Sequence, residues 1–461
     1  MARYGSLADA PATFLLAGVR LVDPVSGRDE TGDLAIVGGR IAALEALPAN
    51  AVRVAGTGMV AAPGFCDLHT HLREPGGEGA ETIASGTRAA AHGGFTTVCA
   101  MPNTDPPLDE AARVAWVLER GTNAAARVRV IAAATRDRNG EEATDAAGLA
   151  VAGAAGFSDD GAAIPGAAVA RRILQGLRAL DLPLIEHAED ASLASGAVMR
   201  AGAVATRLGL AGWPPSAEVT LVERDIALAE EVGAWLHLTH LSTGAAVEAV
   251  RRAKARGVRV TCDVTPHHLA MTDAWVAGDR RFAWDEPMDA AERFTAPLDR
   301  GLAYDGRCRV NPPLPWRAVA LALHGGVTDG TIDAIATDHA PHPPERKLVE
   351  LPAAAPGMIG LETALSLGLA AVEAGCLSLG TLLAAMSTRP AAIIGEERGL
   401  AHGSVADLVL FDPSARWRVE REALASGSAN TPLIGMELPG VVRLTVSGGR
   451  VTYDDRMGLL G

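Results

Sequence analysis

The sequence predicts an α/β protein: a (β/α)8 barrel of the TIM type, with a small β-sandwich built from both chain termini. Three observations carry this reading. The middle of the chain alternates apolar strand candidates with helical patterns, as parallel βα units do. Both ends hold only short alternating strands punctuated by Gly and Pro. The number of strand candidates in the middle, eight, matches a closed barrel.

At the N-terminal end the strands read as Phe14–Val22, Asp33–Val37, Arg40–Leu44 and Ala51–Val54. The strand carrying His69 and His71 is the first of the barrel, and Thr96–Met101, Val128–Ala133, Ala155–Ser158, Leu184–His187, Leu236–His240, Val258–Val264 and Ile332–Thr337 follow. Helical patterns lie between them at Glu110–Arg120, Ala167–Leu180, Ala217–Val232 and Ala245–Arg256. Strands return at 406–412, Val441–Val446 and Arg450–Tyr453. The expected organisation is therefore 1–62 for the first part of the sandwich, 63–400 for the barrel and 401–461 for the second part. A doubly wound sheet is the competing architecture, but no Gly-x-Gly-x-x-Gly follows a first strand.

Composition narrows the function classes. The 461 residues carry a net charge of −14 and no basic run, which argues against a nucleic-acid surface. No apolar stretch approaches the roughly 18 residues of a membrane span, and Met1 to Ala10 does not read as a signal peptide. Five scattered cysteines fit reduced thiols in a cytoplasm better than a disulfide framework. Cys66 lies close to His69 and His71 but on the opposite strand face, so it reads as core. Of the 41 basic residues only Lys254 and Lys347 are lysines.

In a barrel, chemistry gathers where strands end. His69 and His71 share one face of the first strand, since side chains alternate with period two. Asp159 and Asp160 follow the fourth strand, His187 ends the fifth, His240 the sixth, and Asp338 the last, with His339 and His342 beyond it. Histidines and carboxylates converging from successive strand ends are what one or two divalent metals need. Arg73 can offer a planar fork to a carboxylate. Each residue also has a plainer reading. A lone strand-end histidine is more often structural. Asp159-Asp160-Gly161 could be a turn, His267-His268 could close a loop, and His92, His324 and His402 read as solvated or capping. Joint placement at strand ends favours the metal site.

Longer motifs strengthen this. Asp67-Leu68-His69-Thr70-His71-Leu72-Arg73-Glu74-Pro75-Gly76, Glu81-Thr82-Ile83, Gly93-Gly94-Phe95-Thr96-Thr97, Met101-Pro102-Asn103-Thr104, Thr265-Pro266-His267-His268-Leu269, Val310-Asn311-Pro312-Pro313, Thr337-Asp338-His339-Ala340-Pro341-His342 and Gly360-Leu361-Glu362-Thr363 resemble the longer bacterial dihydroorotases of the amidohydrolase superfamily. The resemblance implies zinc-dependent, reversible cyclisation of N-carbamoyl-L-aspartate to L-dihydroorotate in pyrimidine biosynthesis. It implies His69, His71, His187, His240 and Asp338 as zinc ligands, with Asp338 also the general base. Arg73, Asn103 and His342 would hold the substrate carboxylate, and Asn311 the ring. Two Zn2+ per chain would be bridged by Asp160, with Asp159 as second choice. A carboxylated lysine is not expected, because neither lysine can reach the strand end before His187. A homo-oligomer is expected, and association with aspartate transcarbamoylase stays open.

Two departures stand out. Thr272–Arg309 is long and carries Trp275, Phe282, Trp284 and Phe294, so it reads as a lid, an oligomer contact or a surface excursion. Leu351–Gly357 is Pro/Ala-rich where the family has a substrate loop. The rival readings are a hydantoinase or allantoinase, disfavoured by the missing lysine together with Arg73 and Asn103, and a non-catalytic scaffold for the transcarbamoylase, disfavoured by the intact ligand set.

Overall fold

The structure, a computed structural model, describes residues 2–286 and 301–460. Eight parallel strands form the central sheet: β1 (Phe65–Thr70), β2 (Phe95–Ala100), β3 (Arg127–Ala133), β4 (Ala154–Ser158), β5 (Leu184–Glu186), β6 (Leu236–Leu238), β7 (Val260–Val264) and β8 (Ala334–Ile335). They pair in sequence order, and a parallel bridge between Thr70 and His339 brings the last segment back to the first. The expected barrel is present.

Helices cover it: α1 (Ile83–His92), α2 (Ala111–Arg120), α3 (Ala146–Val151), α4 (Ala167–Leu180), α5 (Ser216–Val232), α6 (Gly244–Ala255), α7 (Arg317–Asp329) and α8 (Ala364–Glu373). The N-termini of α1 and α6 are capped by Thr82 and Thr243, whose hydroxyls accept from Ser85 and Ala246 backbone N–H groups. Along α4, Ala170, Ile173, Leu174 and Leu177 are buried, the 3.6-residue stripe that seats a helix on a barrel. At the barrel's centre Cys66, Leu68, Cys99, Ile131, Ala155 and Ile185 pack together. All five cysteines are free thiols.

Both chain ends meet in a second sheet. Val60–Pro63 pairs antiparallel with Leu408–Arg418, which continues to Glu437–Ser447, Arg450–Asp454 and Arg3–Tyr4. On the other side lie Phe14–Asp23, Arg28–Val37 and Arg40–Ala42, with Val52–Ala55 beside Phe14–Asp23. All nine strands are hydrogen-bonded as one sheet with its own core, including Phe14, Leu21, Ile36, Leu408 and Leu444. No helix among the described residues is long and apolar enough to cross a membrane.

The long segment after β7 is anchored rather than free over its described part. Trp275 is fully buried and stacks on Phe282, which contacts Trp284. Phe294 lies outside the described residues.

Candidate metal centre and substrate site

The carboxyl ends of the strands bring the candidate residues together. His69 Nε2 lies 3.2 Å from Asp160 Oδ2, and His71 Nε2 lies 3.1 Å from Asp338 Oδ1. His187 Nδ1 and His240 Nε2 are each 3.5 Å from Asp160 Oδ1 and 2.9 Å from each other. Asp160 thus faces two histidine pairs, one through each oxygen. The ligating atoms of His69, His71 and Asp160, and of Asp160, His187 and His240, form two groups, each within 4.8 Å.

Hydrogen bonds behind the cluster fix which ring nitrogen points in. Thr239 Oγ1 donates to Asp263, so it accepts from His69 Nδ1 at 2.8 Å, and the Nε2 lone pair is left facing Asp160. Asn103 Oδ1 accepts from His71 Nδ1 at 2.8 Å with the same result. His69 Nε2, Asp160 Oδ1 and His240 Nδ1 are buried without a hydrogen-bond partner. Orphaned polar atoms at this depth are costly, and a cation accounts for those facing the cluster.

Charge agrees. Burial would raise the Asp160 pKa, but His69, His187 and His240 hold it well below the usual carboxylate range. Asp338 is likewise held down against burial by His71 and His69. Burial opposes charge on His69, yet Asp160 and Asp338 outweigh it and raise its pKa to about 10. Two buried carboxylates therefore draw protons onto imidazoles, and the donor set fits a divalent cation in place of those protons. His240 and Asp338 also hold positive φ values of 40° and 47°, and Arg73 one of 61°, a backbone region that non-glycine residues rarely occupy.

Asp159 does not join the cluster. Its carboxylate accepts from Ala134 N, Thr135 N and Thr135 Oγ1. Lys254 donates to Asp333 at 2.6 Å and Lys347 to three backbone carbonyls, so both ammonium groups are engaged elsewhere.

A cavity of about 210 Å3 opens beside the cluster, lined by Arg73, Asn103, Asn311, His342 and Ala355–Gly357 together with the candidate ligands other than His69. Arg73 is half-buried, and Nε donates to Pro341 O at 3.2 Å. His342 sits 3.5 Å from Arg73 Nη2, and burial and Arg73 push its pKa down to about 3, so it is neutral near pH 7. Asn311 Nδ2 lies 3.4 Å from His187 Nε2.

Sequence reasoning missed several supporting residues. Asn430 holds the His342 backbone N–H on Oδ1 and the Ala340 carbonyl on Nδ2. Asp263 orients Thr239 and accepts the His240 backbone N–H at 2.7 Å. No spacing in the sequence marks Asn430; Asp263 was hidden inside an ordinary apolar strand. The reading of His92 and His324 as solvated or capping is corrected. His92 bonds Glu362 at 2.6 Å and packs on Tyr453, and His324 is buried against the Leu269 carbonyl, because tertiary partners met them.

A barrel with histidines and aspartates converging at these strand ends defines an amidohydrolase-type protein. Solved barrels share the fold: the L-hydantoinase (dihydropyrimidinase) of Arthrobacter aurescens superposes with a TM-score of 0.77 at 24% identity over 95% of both chains. The dihydropyrimidinase of Brevibacillus agri gives 0.75 at 20% identity, again over 95% of both. Residues 58–246 match the dihydro-orotase-like family model. The dihydroorotase of Pelobacter propionicus is 41% identical over 95% of this chain and 99% of its own length. That of Pelotomaculum thermopropionicum is 43% identical over 96% and 99%. The chain belongs to the dihydroorotase family.

Proposed function

We propose that this chain is a zinc-dependent dihydroorotase that interconverts N-carbamoyl-L-aspartate and L-dihydroorotate for pyrimidine biosynthesis. The observation that carries the reading is Asp160, shared between two histidine pairs and facing a cavity walled by Arg73 and His342. His69, His71, Asp160, His187, His240 and Asp338 would hold two Zn2+, with Asp160 between them. Bound there, a divalent cation supplies Lewis acidity and lowers the pKa of water toward about 7.

The chain's own groups do the rest. The Arg73 guanidinium offers a bidentate fork to the substrate carboxylate, and neutral His342 would turn its single Nε2–H from the Pro356 carbonyl to the same carboxylate. Asn103 spends its carbonyl on His71, which leaves its amide N–H groups for the same carboxylate. Asn311 meets the ring. In hydrolysis the ring C–N bond breaks as water adds to the carbonyl carbon. The Asp338 carboxylate takes the proton from water and returns it to the departing amide nitrogen. In the forward direction the same carboxylate relays the proton the opposite way, and water leaves.

The family resemblance and the five free thiols support action in the cytoplasm. A homo-oligomer, and association with aspartate transcarbamoylase, belong to the same reading; sedimentation alone and with the transcarbamoylase tests both. The decisive assay is dihydroorotate hydrolysis after chelation and after zinc is restored, with hydantoin as competitor substrate. Zinc-restored turnover of dihydroorotate, and little of hydantoin, is expected. Absence of turnover with zinc bound would favour the scaffold reading instead.

A further inference from the structure

The loop after β8 walls the substrate cavity with Ala355, Pro356 and Gly357, yet Leu351–Gly357 has no polar side chain of its own. Side chains from elsewhere capture its carbonyls. Lys347 Nζ donates to Ala355 O at 2.7 Å and Gly357 O at 2.8 Å, and to Arg309 O at 3.0 Å. Arg309 Nη1 donates to the carbonyls of Leu351, Pro352 and Ala354, and the Gly357 N–H returns to Arg309 O at 2.9 Å. His342 Nε2 donates to Pro356 O at 2.8 Å.

Lys347 is the centre of this arrangement. It is 1% exposed, its three hydrogen bonds all go to backbone carbonyls, and Asp305 acts on it without an ion pair. A buried ammonium without a directly paired carboxylate is costly, and an apolar chain of the same length would fill the space at lower cost. What methionine could not supply is direction: an ammonium has three donors, and three carbonyls from two segments take them. One segment leads to Asn311, two residues beyond Arg309. The other contacts His342. A Cβ on Gly357 would fall 2.6 Å from Ala340 Cβ, so the loop is pressed against the strand-end segment with no slack.

We propose that Lys347 is a positioning residue for substrate binding: it ties the Ala355–Gly357 wall to the segment carrying Asn311 and so sets the cavity's shape. The inference rests on the dihydroorotase reading for its kinetic consequence, but the tie itself is readable without activity.

The test uses full-length protein as Lys347→Met, Lys347→Gln and Lys347→Arg, which offer none, two and several donors. Amide hydrogen exchange over 353–358 and steady-state hydrolysis of dihydroorotate are measured, with metal counted per chain. In Lys347→Met, exchange over 353–358 should quicken while that of β1 stays as in wild type. KM should rise about tenfold or more while kcat changes little, the loss of a charged hydrogen-bonding group read in binding. Metal content should hold. Lys347→Gln should fall between, and Lys347→Arg should recover most of the KM. If Lys347→Met does not fold, Lys347→Gln carries the same readings. Unchanged exchange over 353–358 in a folded variant overturns the tie. Faster exchange with unaltered KM, or kcat and metal falling together, overturns the positioning role. An inactive zinc-loaded wild type would instead strike the dihydroorotase reading, and loop exchange would still decide the tie.

Discussion

Both ends of the barrel bury charge, but they balance it differently. At the amino end, where the terminal sheet joins, Arg398 pairs with Glu396 at 2.7 Å and with Asp407 at 3.0 Å, and Arg127 reaches Asp407 at 2.8 Å. Each carboxylate there has a permanent guanidinium partner. At the carboxyl end, Asp160 and Asp338 meet only imidazoles, and neither is ion-paired with a lysine or arginine among the described residues. The first arrangement gives each carboxylate a guanidinium within the protein and rivets two layers together. The second has, among the described residues, no guanidinium or ammonium paired with either carboxylate and relies on imidazoles whose protons a cation can displace. Cavity size would have misled: the space beside the Arg398 cluster, about 860 Å3, is larger than the roughly 210 Å3 beside Asp160. Carboxylates that face only imidazoles mark the functional end.

The comparison can be broken most directly at Asp338. Asp338→Asn should lower kcat for dihydroorotate by on the order of a thousandfold, the loss of a general base. A loss under tenfold would remove Asp338 from the chemistry. At the other end, Arg398→Met takes from Glu396 its one close guanidinium and leaves Asp407 to Arg127 alone. It should destabilise the fold by about 3 kcal/mol in denaturant titration, with metal content and KM of the folded protein unchanged. A catalytic effect there would erase the contrast between the two ends. Arg73→Lys keeps the charge but not the fork. It should raise KM by roughly 1.5–3 kcal/mol worth of binding while metal stays bound. Equal loss of both would count against its role.

The smallest effect is a pH dependence. Burial pushes the Lys347 pKa down to about 7; Cys308, Arg309, Asp305 and His342 are the charged or titratable groups around it. A lysine titrating lower when folded than when unfolded binds fewer protons in the native state between the two values. Stability should therefore rise with pH from about 7 towards 10.5. The carbonyl acceptors favour the charged form, so the gain should fall well short of what the full span between the two values would give. Lys347→Met should flatten that slope in thermal melts, and an unchanged slope would assign it to other groups.

Much of this was legible in the sequence. The helix expected at Ala167–Leu180 is the helix observed, because its apolar stripe keeps a 3.6-residue period. The His-x-His strand and its neighbours were legible through alternation. Boundaries failed where function begins. Leu236–His240 was expected as strand, but the ladder stops at Leu238, and Ile332–Thr337 shrinks to Ala334–Ile335. His240 and Asp338 leave the ladder with positive φ to face the cluster, which periodicity does not foresee. The choice between Asp160 and Asp159 was equally hidden, because it depends on Thr135 from the neighbouring strand end taking the Asp159 carboxylate. Asn430 and the Lys347 tie arise from contacts between distant segments, where no local pattern survives.

The central claim is that Asp160, shared between two histidine pairs, is the heart of a metal site. Metal per chain, counted by elemental mass spectrometry on zinc-reconstituted wild type and Asp160→Ala, tests it most directly. About two zinc ions in the wild type and a clear loss in the variant, with the fold intact by circular dichroism, are expected. A wild type that takes up no zinc, or a folded Asp160→Ala that holds as much as wild type, would contradict it.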